Sequence, residues 1–336
     1  MRLGQTLRLG VAIIAATVGV VAATGSAGAG PIQGGKIAYM STFSGQADIY
    51  SMEADGTGQF NLTQDKTTNV RVDVEPAWSP AGTLVAFERQ YVSRNKDAMG
   101  GSDIFLVKSD GTKLGNVTGS STPKIRNSHP SWSPNGNLIV FSSNRDGNFE
   151  LYTIKASGLG LSQLTKTRAP VQNLEPQWSP DGNSVVFTRT SMSPTLSGSG
   201  IYLLKVSTGT VGRLSPPSHG SADHNAMWSP NGTRIAFASD RAGSNDIYVM
   251  SASGTGLMQL TLKISNDDHP TWSPDGTQIA FVSDRTGATE IFALNVTSPV
   301  PNPAPEVMKQ LTFDKAFKSN PTWQRTSPVP GQRLAR

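Results

Sequence analysis

A chain of 336 residues has room for one large repeat fold or two ordinary domains. With 34 Gly, 22 Pro and only 16% charged residues its composition is that of a turn-rich all-β protein, and zero Cys excludes disulfides, thiolate metal sites and Cys nucleophiles together. Setting aside Arg2 and Arg8 leaves 27 Lys+Arg against 24 Asp+Glu, an excess too small and too scattered to point to nucleic acid.

In chain order the first predicted element is a leader. Arg2 and Arg8 give it a positive start, Leu9 to Ala23 is apolar and uncharged, and Ala27-Gly28-Ala29 fits the A-x-A cleavage pattern, with Ala22-Ala23 less favoured. Residues 1–29 therefore read as a cleaved signal peptide, with an uncleaved anchor as the alternative. The apolar stretch is short and Gly-rich for a membrane span, and there is no Cys for lipid attachment. The expected location is secreted or periplasmic, without stable membrane insertion.

The next elements are short strands at Lys36-Ile-Ala-Tyr39, Asp48-Ile-Tyr50 and Asn61-Leu-Thr63. A repeat then begins: Glu75-Pro-Ala-Trp-Ser-Pro-Ala-Gly82 recurs at 129–136, 175–182, 225–232 and 269–276, and a sixth copy, Asn320-Pro-Thr-Trp323, breaks off. The six Trp of the protein all sit in this element, 44 to 54 residues apart, which is the period of a propeller blade. After each Pro-Gly turn follow three further strand signals. The first is typified by Ile235-Ala-Phe237, the second by Asp246-Ile-Tyr248 and the third by Leu260-Thr261. Four strands of four to six residues make one blade. The sequence thus predicts an all-β, six-bladed β-propeller of four-stranded antiparallel blades over residues 30–324, followed by a tail at 325–336. Five blades are complete; in the sixth, the strand at Asn320 joins the three N-terminal strands and closes the ring, leaving no free sheet edge there.

The units Trp-Ser-Pro-Asp-Gly, Ile-Ala-Phe, Ser-Asp-Arg-x-Gly, Asp-Ile-Tyr and Leu-Thr, repeated in order over about residues 34 to 324, resemble the propeller repeat of the TolB family. The resemblance implies a periplasmic six-bladed propeller with a protein partner docked over its channel. That family also carries a preceding α/β domain, and the short stretch between Ala29 and Lys36 predicts the propeller alone. The same repeat caps prolyl-oligopeptidase-like hydrolases, whose separate catalytic domain is not expected after Trp323.

Alternating strand direction places the loops leading into strand one and the hairpins between strands two and three on one face, called here the mouth face. Strand one is innermost in a propeller, so the polar residues before its Pro or Ala, namely Glu75, His129, Glu175, Asn225, His269 and Asn320, are expected to ring the channel mouth. Two residues earlier stand Asp73, Asn127, Asn173, Asp223, Asp267 and Lys318, expected in the same ring. Such a funnel suits a peptide, a glycan or a hard cation such as Ca²⁺, which needs six or so converging oxygens. The same periodicity also follows if these groups cap loop amides. Insertions at Arg89–Gly101 and Arg189–Gly200 add long loops to the mouth face, and Pro299–Glu306 projects from the far face.

No Gly-x-Ser-x-Gly elbow, His-Glu-x-x-His, phosphate loop or dinucleotide fingerprint occurs, so no catalytic residue is assigned. The four His, at 129, 219, 224 and 269, are expected in the loops entering strand one, and the Trp series reads as packing between blades. The expected function is a non-enzymatic, monomeric module that binds a protein or peptide on its mouth face. The alternative is a lyase or hydrolase acting on an extracellular polysaccharide.

Overall fold

The computed structural model describes residues 34–64, 71–92, 99–120, 124–191, 198–217, 220–262, 265–296 and 308–325. The predicted leader, nearly all of the tail, the Pro-rich insertion and His219 lie outside them.

Blade one contains β1 (Lys36–Ser41), β2 (Asp48–Glu53) and β3 (Phe60–Asn61). Blade two is β4 (Arg71–Trp78), β5 (Leu84–Val92), β6 (Met99–Lys108) and β7 (Lys113–Asn116); blade three is β8 (Asn127–Trp132), β9 (Leu138–Ser143), β10 (Glu150–Lys155) and β11 (Ser162–Gln163). Blade four is β12 (Val171–Trp178), β13 (Ser184–Ser191), β14 (Ser199–Lys205) and β15 (Thr210–Arg213). Blade five is β16 (Asp223–Trp228), β17 (Arg234–Ser239), β18 (Asp246–Ser251) and β19 (Met258–Gln259). Blade six is β20 (Asp267–Trp272), β21 (Gln278–Ser283), β22 (Glu290–Asn295) and β23 (Met308–Gln310), and β24 (Lys318–Trp323) pairs antiparallel with β1 to complete blade one. The result is six four-stranded antiparallel sheets, with the predicted closure. Among the described residues no helix is long and apolar enough to cross a membrane.

Each motif of the repeat has a physical task. In the Ser-Pro-x-Gly turn of blade two, Ser79 accepts the Leu84 amide on its side chain at 3.0 Å, and Gly82 takes φ +67, which a Cβ would oppose. The aromatic of strand two meets that of strand three within the blade, as with Phe141 and Tyr152 at 6.1 Å, and the Arg after strand two covers the pair. The Trp packs between blades: Trp132 joins a buried cluster with Ala77, Ile104 and Leu106 of blade two, and its indole donates to the Ala77 carbonyl at 3.2 Å.

The acid at the start of strand three works together with the Thr after strand four. Thr165 accepts the Leu151 amide at 2.9 Å and donates to Glu150 at 2.6 Å; Thr118 does the same for Ile104 and Asp103. A two-residue strand four is thereby pinned by side chains as well as by its backbone ladder.

Two expectations change. The insertions in blades two and four do not open as loops at Arg89 and Arg189. They extend the ladders of strands two and three, with Gln90 opposite Ser102 and Thr190 opposite Ser199, because alternating residues such as Glu88-Arg89-Gln90-Tyr91 can keep pairing. Strand lengths therefore run from two residues to ten, not four to six.

The closing strand carries an ion cluster. Lys318 is fully buried, with its ammonium 3.0 Å from Glu290 of blade six and also bonded to Asp314 and to the Ala316 carbonyl. Removing one partner of such a pair leaves an uncompensated buried charge. Lys318→Met is expected to cost about 3 kcal/mol in urea unfolding, with part recovered in the Lys318→Met/Glu290→Gln double variant.

Candidate functional site at the channel mouth

All six inner strands break register at one repeat position, between Val74 and Ala77, Ser128 and Ser131, Leu174 and Gln177, His224 and Met227, Asp268 and Thr271, and in the pairing of β24 with Ala38 and Met40. The bulged residue is Glu75, His129, Glu175, Asn225, His269 or Asn320, and each has φ of 52 or 53, the left-handed region that side chains other than Asn and Gly resist. Strand one has a partner on one side only, so a Pro after the bulge sacrifices no ladder bond. These six residues thus sit inside strand one, not in the loops leading to it where they were expected. The shared bulge brings all six to one cavity of about 60 Å³ on the axis, lined also by Pro76, Pro130, Pro270 and Pro321.

The ring forms two hydrogen-bonded arcs. In one, Asn320 donates to Glu75 at 2.7 Å and His129 Nε2 lies 3.4 Å from the same carboxylate, while His129 Nδ1 is buried without a hydrogen-bond partner. In the other, Glu175 accepts the Asn225 amide at 2.8 Å and the Thr188 hydroxyl at 2.7 Å. The Asn225 side chain donates to Asp268 at 3.0 Å, and His224 Nε2 and His269 Nδ1 stand 3.3 and 3.5 Å from Asp268.

Electrostatics couple these groups. Burial opposes the charged form of His224, but the hydrogen bond and charge of Asp268, aided by Glu175, lift its pKa to about 9. His129 is likewise raised, Glu75, Glu175 and Glu88 outweighing its burial. Burial of Glu175 and Asp268 would raise their pKa values, yet the facing imidazoles and the hydrogen bonds they accept hold both below the ordinary range. Glu88, just beneath on strand two, goes the other way, pushed up by burial. At neutral pH His224, with its pKa lifted to about 9, therefore faces the Asp268 and Glu175 carboxylates as an imidazolium.

Comparison with known proteins places this chain in a family. The TolB beta propeller domain matches residues 115–219 and 192–327. The chain belongs to that family. It is 30% identical over 133 residues to the Tol-Pal system protein TolB of Desulfosudis oleivorans, a match covering 39% of this chain and 27% of that protein's length. By structure it resembles TolB from Acinetobacter baumannii, with a TM-score of 0.68 and 19% identity over 87% of this chain and 67% of that one. It also resembles an oligogalacturonate lyase in complex with manganese, with a TM-score of 0.53 and 13% identity over 79% of this chain and 86% of that one. Likeness at such identities speaks of the propeller fold and not of activity.

In this TolB-type propeller the second predicted set lies away from the mouth. Asp73, Asn127, Asn173, Asp223, Asp267 and Lys318 are buried and committed to structural partners. Asp73 binds Arg89 at 2.7 Å, Asp223 binds Arg241 at 2.6 Å and Asp267 binds Arg285 at 2.9 Å, while Asn127 and Asn173 accept from Arg145 and Arg189. Two residues earlier on a strand is the same face, but the intervening bulge turns one set to the axis and the other into the blade junction.

Asp268 and Glu88 belong to the mouth and had no repeat signal to mark them, since Asp268 lies between the two periodic positions. Among the described residues no group of three or more His, Asp or Glu is arranged to hold a metal ion, so the Ca²⁺ expectation gains no support. At the far end of the channel the Trp side chains converge with Pro80, Pro230, Pro274 and Arg325 around a cavity of about 70 Å³.

Because its pKa in the fold exceeds the ordinary value of about 6.5, His224 stabilises the protein fully below that pH, and the contribution fades as the pH rises through about 9. In Asp268→Asn, an NMR titration is expected to find the His224 midpoint returned to its ordinary value or below, and the alkaline loss of stability flattened. An unmoved midpoint would show that Asp268 is not the cause.

Proposed function

We propose that the propeller is an exported, monomeric binding module that receives a protein or peptide partner on its mouth face, with a polar side chain or chain end of the partner inserted between the two arcs. The observation carrying this reading is the sixfold left-handed bulge, which holds six polar side chains against one axial cavity at an energetic cost of order 1 kcal/mol per residue. His129 Nδ1, buried and unpartnered, is a ready hydrogen-bonding atom for such an insert.

Size supports a binding module over the polysaccharide enzyme. Small-molecule sites enclose roughly 300 Å³ or more, whereas the mouth cavity offers about 60 Å³, enough for a side-chain tip but not a sugar ring. Family membership supports a protein partner through the name of a relative, a Tol-Pal system protein.

Asn is native to the ring at Asn225 and Asn320 and tolerates the left-handed backbone, so replacing Glu75, Glu175 and His269 together by Asn should preserve the fold. This triple variant is expected to lose at least about ten-fold in recovery of envelope or secreted partners on the immobilised protein, about 1.4 kcal/mol. Unchanged recovery counts against the ring. Cleavage of pectic fragments or other glycans that disappears in His129→Asn/His269→Asn would replace binding by catalysis.

A further inference from the structure

Blade four departs from the other five at two facing positions. Where strand three opens with Asp48, Asp103, Glu150, Asp246 and Glu290 in the other blades, β14 has Gly200. Opposite, on strand four, the others place an amide: Asn61 donates to Asp48 at 2.9 Å, Asn116 to Asp103 at 2.9 Å and Gln259 to Asp246 at 3.0 Å, with Gln163 and Gln310 in the same register. Blade four has Arg213 there, paired in register with Tyr202. One negative charge is lost and one positive charge gained at the same spot.

Arg189 adds a second cation. Its counterparts Arg89, Arg241 and Arg285 are bonded to aspartates, whereas Arg189, like Arg145 of blade three, reaches a neutral Asn, here Asn173 at 2.9 Å; only in blade four does a second guanidinium, that of Arg213, stand beside it. Among the described residues neither Arg189 nor Arg213 has a carboxylate within ion-pair distance. Both guanidinium groups lie by the ring of Tyr202, at 4.7 and 5.9 Å from its centroid, and both line a half-open cleft of about 270 Å³ with Thr190, Ser199 and Gly200. Arg189 is half-buried, and burial pulls its pKa below the ordinary range, so its charge is poorly solvated. The Arg213 guanidinium comes within 2.9 Å of where a Gly200 Cβ would stand, in the space that the carboxylate-bearing side chain fills in the other blades.

We propose that the cleft between Arg189 and Arg213 on the mouth face of blade four is a carboxylate-binding site, which takes from a ligand the carboxylate that the other five blades supply from their own chain. Two guanidinium forks beside an aromatic ring suit the planar, bidentate geometry of a carboxylate such as a glutamyl or aspartyl side chain. The site stands apart from the channel mouth and does not depend on the reading given to it.

Two substitutions fill or erase the site by restoring the pattern of the repeat. Gly200→Asp returns the internal carboxylate; Gly200 has no left-handed φ, and the atoms a Cβ would meet are the mobile end of Arg213. Arg213→Gln installs the amide that blades three, five and six carry. The full chain would be titrated, with Arg Nε–H NMR signals as readout, against an end-blocked Gly-Glu-Gly peptide, its Gly-Gln-Gly analogue and inorganic phosphate. The expected result is saturable shifts of both Arg signals with the Glu peptide only, weakened about ten-fold or more in each variant, while the melting temperature holds or rises in Gly200→Asp. Absence of saturable binding, equal binding of the Gln peptide, binding unchanged in both variants, or tighter binding of phosphate than of the Glu peptide would overturn the assignment.

Discussion

The fold depends on a buried carboxylate that recurs at the start of strand three. Taking a carboxylate out of water is tolerable only when its oxygens are hydrogen-bonded or paired, and that requirement reaches outward in three directions. It selects the Thr after strand four, which holds the outermost strand in place, and it selects an amide on that strand. It also reaches the next blade: Arg71 contacts Asp48, Asn127 contacts Asp103, Asn173 contacts Glu150 and Lys318 contacts Glu290. A group that looks like decoration on the Asp-Ile-Tyr motif is thus a junction between neighbouring blades, and the ring is held shut by the same chemistry that holds each sheet together.

The closing blade shows what happens when one partner changes sign. Its strand one carries Lys318 where the other blades have Asp or Asn, and the Arg that would face it is replaced by Phe43, which lies exposed. An Arg beside a buried Lys would repel it, so the two substitutions make sense only together. Lys318 instead looks across the junction to Glu290 and to Asp314 on the incoming loop. Closure of the ring is therefore marked electrostatically as well as by the pairing of β24 with β1, which distinguishes the terminal strand from its five cousins.

Most of the fold was legible because a repeat reports the same physics many times over. Six Trp, five Ser-Pro-x-Gly turns and six aromatic pairs each repeat one packing solution, and their order fixes four strands and their connections. The site was legible only in part. Glu75, His129, Glu175, Asn225, His269 and Asn320 were found by their periodicity, but the reason for that periodicity, a left-handed bulge inside strand one, leaves no mark in residue type beyond a following Pro, and Asn225 lacks even that. The bulge also separates Asp73, Asp223 and Asp267 from the ring, although simple strand alternation would place them beside it. Asp268 and Glu88 were invisible because each occurs once and the period carries no record of single events.

Periodicity and function therefore pull in opposite directions in this molecule. Apart from the bulge in strand one, which strains the backbone instead of stabilising it, whatever every blade needs, such as the carboxylate junction, the stacked Arg or the indole wedge, appears six or nearly six times and is explained by stability. Features that only one blade has escape that explanation. Gly200 forfeits a junction that five blades keep, and Arg213 adds charge where five blades are neutral, although its Nε still donates to the Ser215 carbonyl. Asp268 collects three neighbours at one point of an otherwise even ring and breaks its symmetry into two arcs. A ligand approaching the mouth face meets an uneven surface on an even scaffold, and it is the uneven positions that give it a direction in which to bind.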